Sequence, residues 1–235
     1  MTGGSSGVGR MIAASLAANG ARVTISGRNE DRLASAADTL GCDWIAADLS
    51  QADEIDRLAV SRREPVDILV NNAGTTWAAS LADFPAEGFD KVLALNMRAP
   101  FLLAQKLLPH LKARATAEDY SRIVNISSVG ARMIAADGGS IAYGPSKAAI
   151  EQMTRIMARQ LGKHRITANA IAPGWFPSRM NVPLGEAAAL DWIANTPLDR
   201  LGTARDIGGL VLFLCSPAGL YVNGQVIACD GGRSL

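Results

Sequence analysis

Tyr143 and Lys147 stand four residues apart in the stretch from Ser140 to Gly162, SIAYGPSKAAIEQMTRIMARQLG. On a helix, residues four apart lie one above the other on the same face. A phenol would then sit beside an ammonium. A neighbouring positive charge favours the phenolate and draws a tyrosine pKa from about 10 toward neutrality, so that the group can exchange a proton with an alkoxide or a carbonyl. Tyr143 is therefore a candidate general acid/base. A bare Y-x-x-x-K is far more often a surface pair, so the reading depends on what the rest of the chain supplies.

The surrounding sequence supports a helix. Ile150, Met153, Ile156, Met157 and Leu161 recur at helical spacing, Pro145 falls in the first turn where its missing N–H costs nothing, and Gly162 is a suitable stop. A second chemical signal lies at the start of the chain, T-G-G-S-S-G-V-G over residues 2–9. Glycines at this density let a phosphate approach backbone N–H groups at the positive end of the helix that follows. That helix carries Val8, Met11, Ile12 and Leu16 on one face and ends at Asn19-Gly20, before a strand over Ala21 to Ser26. In a doubly wound sheet the phosphate loop follows a buried parallel strand, and only Met1 and Thr2 precede these glycines. The first strand is expected to be absent, with the start codon placed too far downstream or the chain truncated, and folding itself is then in doubt.

Other candidate positions fall at predicted strand ends, where α/β folds hold ligands. After the second strand comes Gly27-Arg28-Asn29; an arginine there suits the 2′-phosphate of NADP rather than the free ribose of NAD, unless Arg28 is a solvated loop residue and Glu30 or Asp31 turns inward. Asp48, after the short strand Trp44 to Ala47, either accepts from an adenine amino group or caps the next helix. The strand Val66 to Val70 runs into Asn71-Asn72-Ala73-Gly74. Asp83 to His110 reads mainly as helix, with Asn96 inside it either as a polar kink or as part of a water-mediated proton path. The strand Ser121 to Ile126 ends in Ser127-Ser128, and Ile166 to Ile171 ends in Pro173-Gly174. Residues 175–201, rich in proline, read as a lid. Thr203 and Asp206 form a predicted N-terminal cap for a helix through Cys215, and Gln225 to Ala228 is a last strand.

Strand and helix alternate throughout 235 residues, which predicts one α/β domain over 1–235, a Rossmann-like doubly wound parallel sheet with helices on both faces. With 49% hydrophobic and 19% charged residues and a net charge of +1, the chain has no run of charge pointing to nucleic acid or to an anionic membrane. Three widely spaced cysteines and two histidines do not suggest a disulfide framework or a metal centre. No segment approaches the ~20 apolar residues of a membrane span. A cytoplasmic protein with a small-molecule partner is expected.

Taken in order, T-G-x-x-x-G-x-G, N-N-A-G, a mid-helix asparagine, I-S-S, Y-x-x-x-K and P-G resemble the short-chain dehydrogenase/reductase family over almost the whole chain. The resemblance implies a catalytic set of Asn96, Ser128, Tyr143 and Lys147. In it Ser128 holds the carbonyl oxygen, Tyr143 transfers the proton, Lys147 binds the nicotinamide ribose while lowering the tyrosine pKa, and Asn96 holds a relay water. It implies cofactor contacts at Gly3, Ser5, Gly7, Val8, Arg28, Asp48, Leu49, Asn71, Ala73, Gly74, Tyr143, Lys147, Pro173 and Gly174, and NADP(H) in preference to NAD(H). It also implies a homotetramer or dimer. Ser128 lies fifteen residues before Tyr143 where the family has about thirteen, so the loop Ala131 to Ser140 carries an insertion and Ser127 remains a rival hydroxyl. Ser6 replaces a basic residue common in NADP-dependent relatives, leaving Arg28 as the principal phosphate partner. The segments N-N-A-G-T-T-W and P-G-W-F-P-S-R-M are similar to NADP-dependent 3-oxoacyl reductases, including the branch linked to rhamnolipid precursors. Trp175, Phe176, Met180, Leu184, Trp192 and Ile193 would then be an apolar lid over an acyl chain, or lid helices packing on their own core. A gluconate-type polyol dehydrogenase and a nucleotide-binding regulatory protein without turnover are the alternative functions.

Overall fold

Alternating residues on the central strands divide the core in two. Leu69 and Ile123 face one side of the sheet while their neighbours Val70 and Val124 face the other, as the two-residue period of a strand requires. The computed structural model describes residues 1–61, 64–134 and 140–235, apart from the side chain of Pro183. In chain order the elements are α1 (Gly7–Ala18), β1 (Thr24–Gly27), α2 (Glu30–Leu40), β2 (Asp43–Ala46), α3 (Ala52–Val60), β3 (Ile68–Asn71), α4 (Ala86–Leu93), α5 (Ala99–Arg114), β4 (Ser121–Ile126), α6 (Tyr143–Leu161), β5 (Ile166–Pro173), α7 (Gly185–Ala194), α8 (Ala204–Cys215) and β6 (Val226–Cys229).

All strand pairs are parallel: β1 with β2, and β3-β4-β5-β6 in sequence order. Among the described residues no strand precedes α1. Met1 to Gly3 instead run between the two groups of strands: the Ser26 N–H donates to the Met1 carbonyl at 2.9 Å, the Thr2 N–H to Val70 at 3.0 Å and the Gly3 N–H to Ser26 at 2.7 Å. This short segment joins both groups into one layer, at a single parallel bridge between Thr2 and Ser26.

On one face α1, α2 and α8 bury Ile12, Leu16, Leu33, Ile207, Val211 and Leu214 against Ile25, Val70, Val124 and Ile171. On the other, α3, α5 and α6 bury Ile55, Leu58, Leu103, Leu107, Leu111 and Ala158 against Leu69, Ile123, Ile166 and Ala168. At about 25 cal/mol per Å² of apolar surface removed from water, these faces hold the strand ends in fixed register. Helix ends follow the sequence. Asn29 accepts from the Arg32 N–H at 2.9 Å to cap α2, whose C-terminus is closed by Gly41 in the left-handed region. At α8 the Asp206 carboxylate accepts from the Thr203 N–H at 2.8 Å and from its hydroxyl at 2.7 Å. Residues 182–194 contain a short 3₁₀ turn and α7, so helix lies inside the region read as a lid. Phe176 is 2% exposed and belongs to the main core, which removes it from any surface over an acyl chain.

Candidate active site

The carboxyl ends of β3, β4 and β5 bring the predicted residues to one edge. The Lys147 Nζ, in the first turns of α6, donates to the carbonyl of Ile126, the last residue of β4, at 2.8 Å. Two residues further on, Ser128 is extended and its Oγ accepts from the Gly130 N–H at 3.1 Å, which turns the chain back toward α6. The Ser128 hydroxyl lies on the Tyr143 side of this turn: a Cβ on Gly130 would stand 3.4 Å from Ser128 Oγ and 3.6 Å from the Tyr143 ring. A Cβ on Gly144 would lie 2.9 Å from the Gly130 carbonyl oxygen, so glycine at that position permits the start of α6 to approach the turn that carries Ser128.

The two serines are separated by burial. Ser127 is 3% exposed and its hydroxyl is directed at the Lys147 carbonyl (3.2 Å) and at Glu151 Oε1 (3.0 Å). Its partners hold it inside the protein, whereas Ser128 faces the tyrosine. Half of the loop expected to carry an insertion, residues 135–139, lies outside the described residues.

The electrostatics differ from the expectation drawn from spacing alone. Lys147 is 4% exposed, and burial pulls its pKa down to about 8. Its Nζ is 5.8 Å from the centroid of the Tyr143 ring. The phenol is not drawn toward neutrality: burial pushes its pKa up, and the nearby Ser128 hydroxyl offsets this only in part. Desolvation wins because the phenolate would lose water that one hydroxyl and a displaced ammonium do not replace.

Asn96 sits in a π turn, Ala94–Arg98, where α4 passes into α5, so the mid-helix asparagine marks a bulge in the helix. The amide is spent on the protein: Oδ1 accepts from the Thr75 N–H at 2.8 Å, and Nδ2 donates to the Thr75 carbonyl at 2.9 Å and to Ser146 Oγ at 3.0 Å. Both amide hydrogens are engaged, so the side chain clamps residue 75 and keeps a second Oδ1 lone pair for a further donor. Ser146 in turn donates to the Tyr143 carbonyl at 2.7 Å, and Ser140 joins the start of α6 to the Trp77 carbonyl, also at 2.7 Å. These two positioning serines carry no sequence signal beyond their nearness to Tyr143.

The expected cofactor residues divide into groove and core. The Asn72 amide donates to the carbonyls of Thr2 and Gly3 at 3.0 and 3.1 Å, and Thr2 Oγ1 accepts from the N–H groups of Asn72 and Ala73, each at 2.9 Å. The glycine-rich loop with Gly3, Ser5, Gly7 and Val8 is thereby fastened to the loop with Ala73 and Gly74. Pro173 and Gly174 close β5 on the same edge, with the Gly174 N–H donating to Cys229 at 3.0 Å. A Cβ on Gly74 would fall 3.3 Å from Asn96 Oδ1 and 3.4 Å from Lys147 Nζ, a tight fit that glycine avoids, so this loop passes close beside the lysine. Leu49 and Asn71 lie deeper than the loop residues around them. Leu49 is 3% exposed within the core. Asn71 is 4% exposed and donates to Asn125 Oδ1 at 2.9 Å. The Asp48 Oδ1 accepts from the N–H and hydroxyl of Ser50 at 3.0 and 2.8 Å, so that oxygen serves a turn.

Arg28 is exposed just past the end of β1. A cleft of about 550 Å³ opens at the glycine-rich loop, lined by Ser5, Ser6, Arg10, Asp31, Arg32, Ser178 and Arg179 among others; Arg28 is not part of its lining, and Asp31 is the one carboxylate among the basic groups. Three arginines that the motifs did not single out thus flank the phosphate loop. Arg32 was within reach of the sequence, being three residues past the cap Asn29; Arg179 came into view only once the lid was placed. The donors fit a phosphorylated dinucleotide: backbone N–H groups of a helix start, serine hydroxyls and several guanidinium groups.

The fold, the parallel strand edge and the serine–tyrosine–lysine cluster define a Rossmann-type oxidoreductase. The chain belongs to the short-chain dehydrogenase/reductase family, and residues 3–234 match the family model described as enoyl-(acyl carrier protein) reductase, adh_short_C2. It is 43% identical over its full length to 95% of the rhamnolipids biosynthesis 3-oxoacyl-[acyl-carrier-protein] reductase of Pseudomonas aeruginosa. It is 35% identical over its full length to 93% of the gluconate 5-dehydrogenase of Gluconobacter oxydans. Among solved structures, the Pseudomonas aeruginosa RhlG/NADP active-site complex superposes on the whole chain and on 94% of its own length, with a TM-score of 0.93 and 42% identity.

Proposed function

We propose that this chain is an NADPH-dependent reductase of 3-oxoacyl thioesters, with Ser128, Tyr143 and Lys147 as its catalytic residues. The observation that carries the reading is the convergence of Ser128 and Tyr143 around Gly130, beside a buried lysine at the carboxyl edge of a parallel sheet. The similarity to the rhamnolipids biosynthesis reductase and to the RhlG/NADP complex supports the choice of thioester and of NADP(H) over NAD(H).

The groove fits the cofactor through the glycine-rich loop, the lysine close beside Gly74 and the arginines around the phosphate end. When bound, a nicotinamide supplies or accepts hydride. Ser128 and Tyr143 hold the substrate oxygen by hydrogen bonds, and Tyr143, protonated at neutral pH because burial raises its pKa, supplies the proton to that oxygen. Lys147 has one donor on Ile126 and offers the rest to a ribose beside Gly74. Asn96 holds Thr75 and, through Ser146, the first turn of α6. Residues 175–201, with Trp175 and Trp192 in tilted contact at 5.7 Å and Met180 and Leu184 exposed, act as a substrate lid. The chain is read as one cytoplasmic domain that assembles as a homotetramer or dimer.

The decisive assay follows NADPH absorbance with a short 3-oxoacyl thioester beside a panel of ketones and gluconate. Turnover of the thioester supports the reading. Oxidation of gluconate with no thioester turnover would replace it with the polyol alternative, and NADPH binding without turnover of anything would leave a binding protein.

A further inference from the structure

The buried carboxylate of Glu151 is not used by any step above. Its side chain is 7% exposed, one helical turn beyond Lys147 on α6. Oε1 accepts from the Ser127 hydroxyl at 3.0 Å, and Oε2 accepts from Arg132 Nε at 3.2 Å. Arg132 is about two-fifths exposed and also reaches the Val226 carbonyl of β6 at 3.4 Å. Ser127 and Arg132 are the residues that enter and leave the short turn through Ser128 and 129–131. A single carboxylate on the helix of Tyr143 and Lys147 thus gathers both ends of the turn that presents Ser128.

We infer that Glu151 is a positioning residue, whose paired bonds to Ser127 and Arg132 hold the Ser128 hydroxyl in register with Tyr143. The inference rests on the proposed reductase activity. Its physical basis is that a buried carboxylate must keep its partners, since leaving the carboxylate unpaired costs more than either bond itself contributes. The turn is therefore held by a requirement, not by packing alone. Misplacing a reacting group by about 1 Å lowers turnover roughly 10²-fold. Glu151 touches no reacting atom, so its loss is expected to act on turnover and not on cofactor affinity.

The test compares steady-state kinetics of the full-length protein and of Glu151→Gln, Arg132→Ala and the double variant, with NADPH and a short 3-oxoacyl thioester. Glutamine keeps the shape and one acceptor but not both. The expected result is a drop in kcat of roughly tenfold or more in each single variant, an NADPH KM within twofold of the parent, and a double variant no slower than the worse single one, because both changes break one clasp. Arg132→Ala is at a half-exposed site and keeps the experiment decisive if Glu151→Gln does not fold. Unchanged kcat with lowered Tm, equal rises in KM for both substrates, or multiplying losses in the double variant would overturn the inference. A parent protein that reduces no carbonyl would refute the functional reading itself, which is a different outcome.

Discussion

The Nζ of Lys147 lies 5.8 Å from the centroid of the Tyr143 ring, with one of its hydrogens already on the Ile126 carbonyl at 2.8 Å. The ammonium is anchored by the end of β4, and the phenol is addressed by Ser128. The tyrosine accordingly remains a proton donor at neutral pH, held there by burial. This division of labour suits reduction of a carbonyl, in which the oxygen gains a proton.

Replacing Tyr143 by Phe removes that donor and leaves the ring. Turnover is expected to fall by a factor of roughly 10² to 10⁴, with the NADPH dissociation constant nearly unchanged in a fluorescence titration. Wild-type turnover in this variant would take Tyr143 out of the mechanism.

The lysine gives the reaction an alkaline limit. Its folded-state pKa is depressed to about 8, so the ammonium is present below that pH and lost above it. The kcat/KM for reduction is expected to fall as pH rises through about 8, while the phenol, raised above its usual value, stays protonated. The stability linkage has the opposite sense. Between about 8 and the unfolded value the folded chain has released a proton that the unfolded chain keeps, so this group favours folding more as pH rises, by about 3 kcal/mol in all. A pH–rate profile flat from 7 to 10 would contradict the assignment.

Arg28 and Arg32 are expected to set cofactor choice. A charge-assisted bond to a phosphate contributes about 1.5–3 kcal/mol, so Arg28→Ala should raise the NADPH KM roughly 10- to 100-fold. NADH kinetics, lacking that phosphate, should move little. Arg32→Ala tests whether the cleft beside the glycine loop shares the task, and equal losses with both cofactors would argue against a 2′-phosphate site there.

Asn96→Ala removes the partner of both main-chain groups of Thr75. At about 1–3 kcal/mol for each group left unsatisfied, the melting temperature should fall by several degrees. Activity should fall with it, since the Thr75 clamp and Ser146 also hold the start of α6. Calorimetry and turnover on the same preparation would check both.

Away from the site, Asp206 anchors the start of α8, with Arg200 holding its carboxyl well below the usual carboxylate range. Asp206→Ala should cost about 0.5–2 kcal/mol of stability, the range for a lost helix cap. Because the folded pKa is depressed, the contribution is complete above the unfolded value and disappears as acid titrates the group, so parent and variant should converge in denaturant midpoint at low pH.

The sequence by itself determined the alternation of strand and helix, the cap at Thr203, the helix from Tyr143 to Leu161 and the polar loops at strand ends. Those features follow from local periodicity and from residues whose backbone preferences are strong. It left α2 and α3 unassigned, because their apolar residues are few; Asn29 and Gly41 bracket α2, but the Gln51 side chain makes no cap bond at the start of α3. The tertiary structure alone decided which serine faces Tyr143, that Asn71 and Leu49 turn inward, that Phe176 belongs to the core, and that Met1 to Gly3 bind both halves of the sheet. The direction of the tyrosine's pKa belongs to the same group. Spacing along a helix says that two side chains share a face, but the balance between a charge and lost water depends on what packs around them from distant parts of the chain.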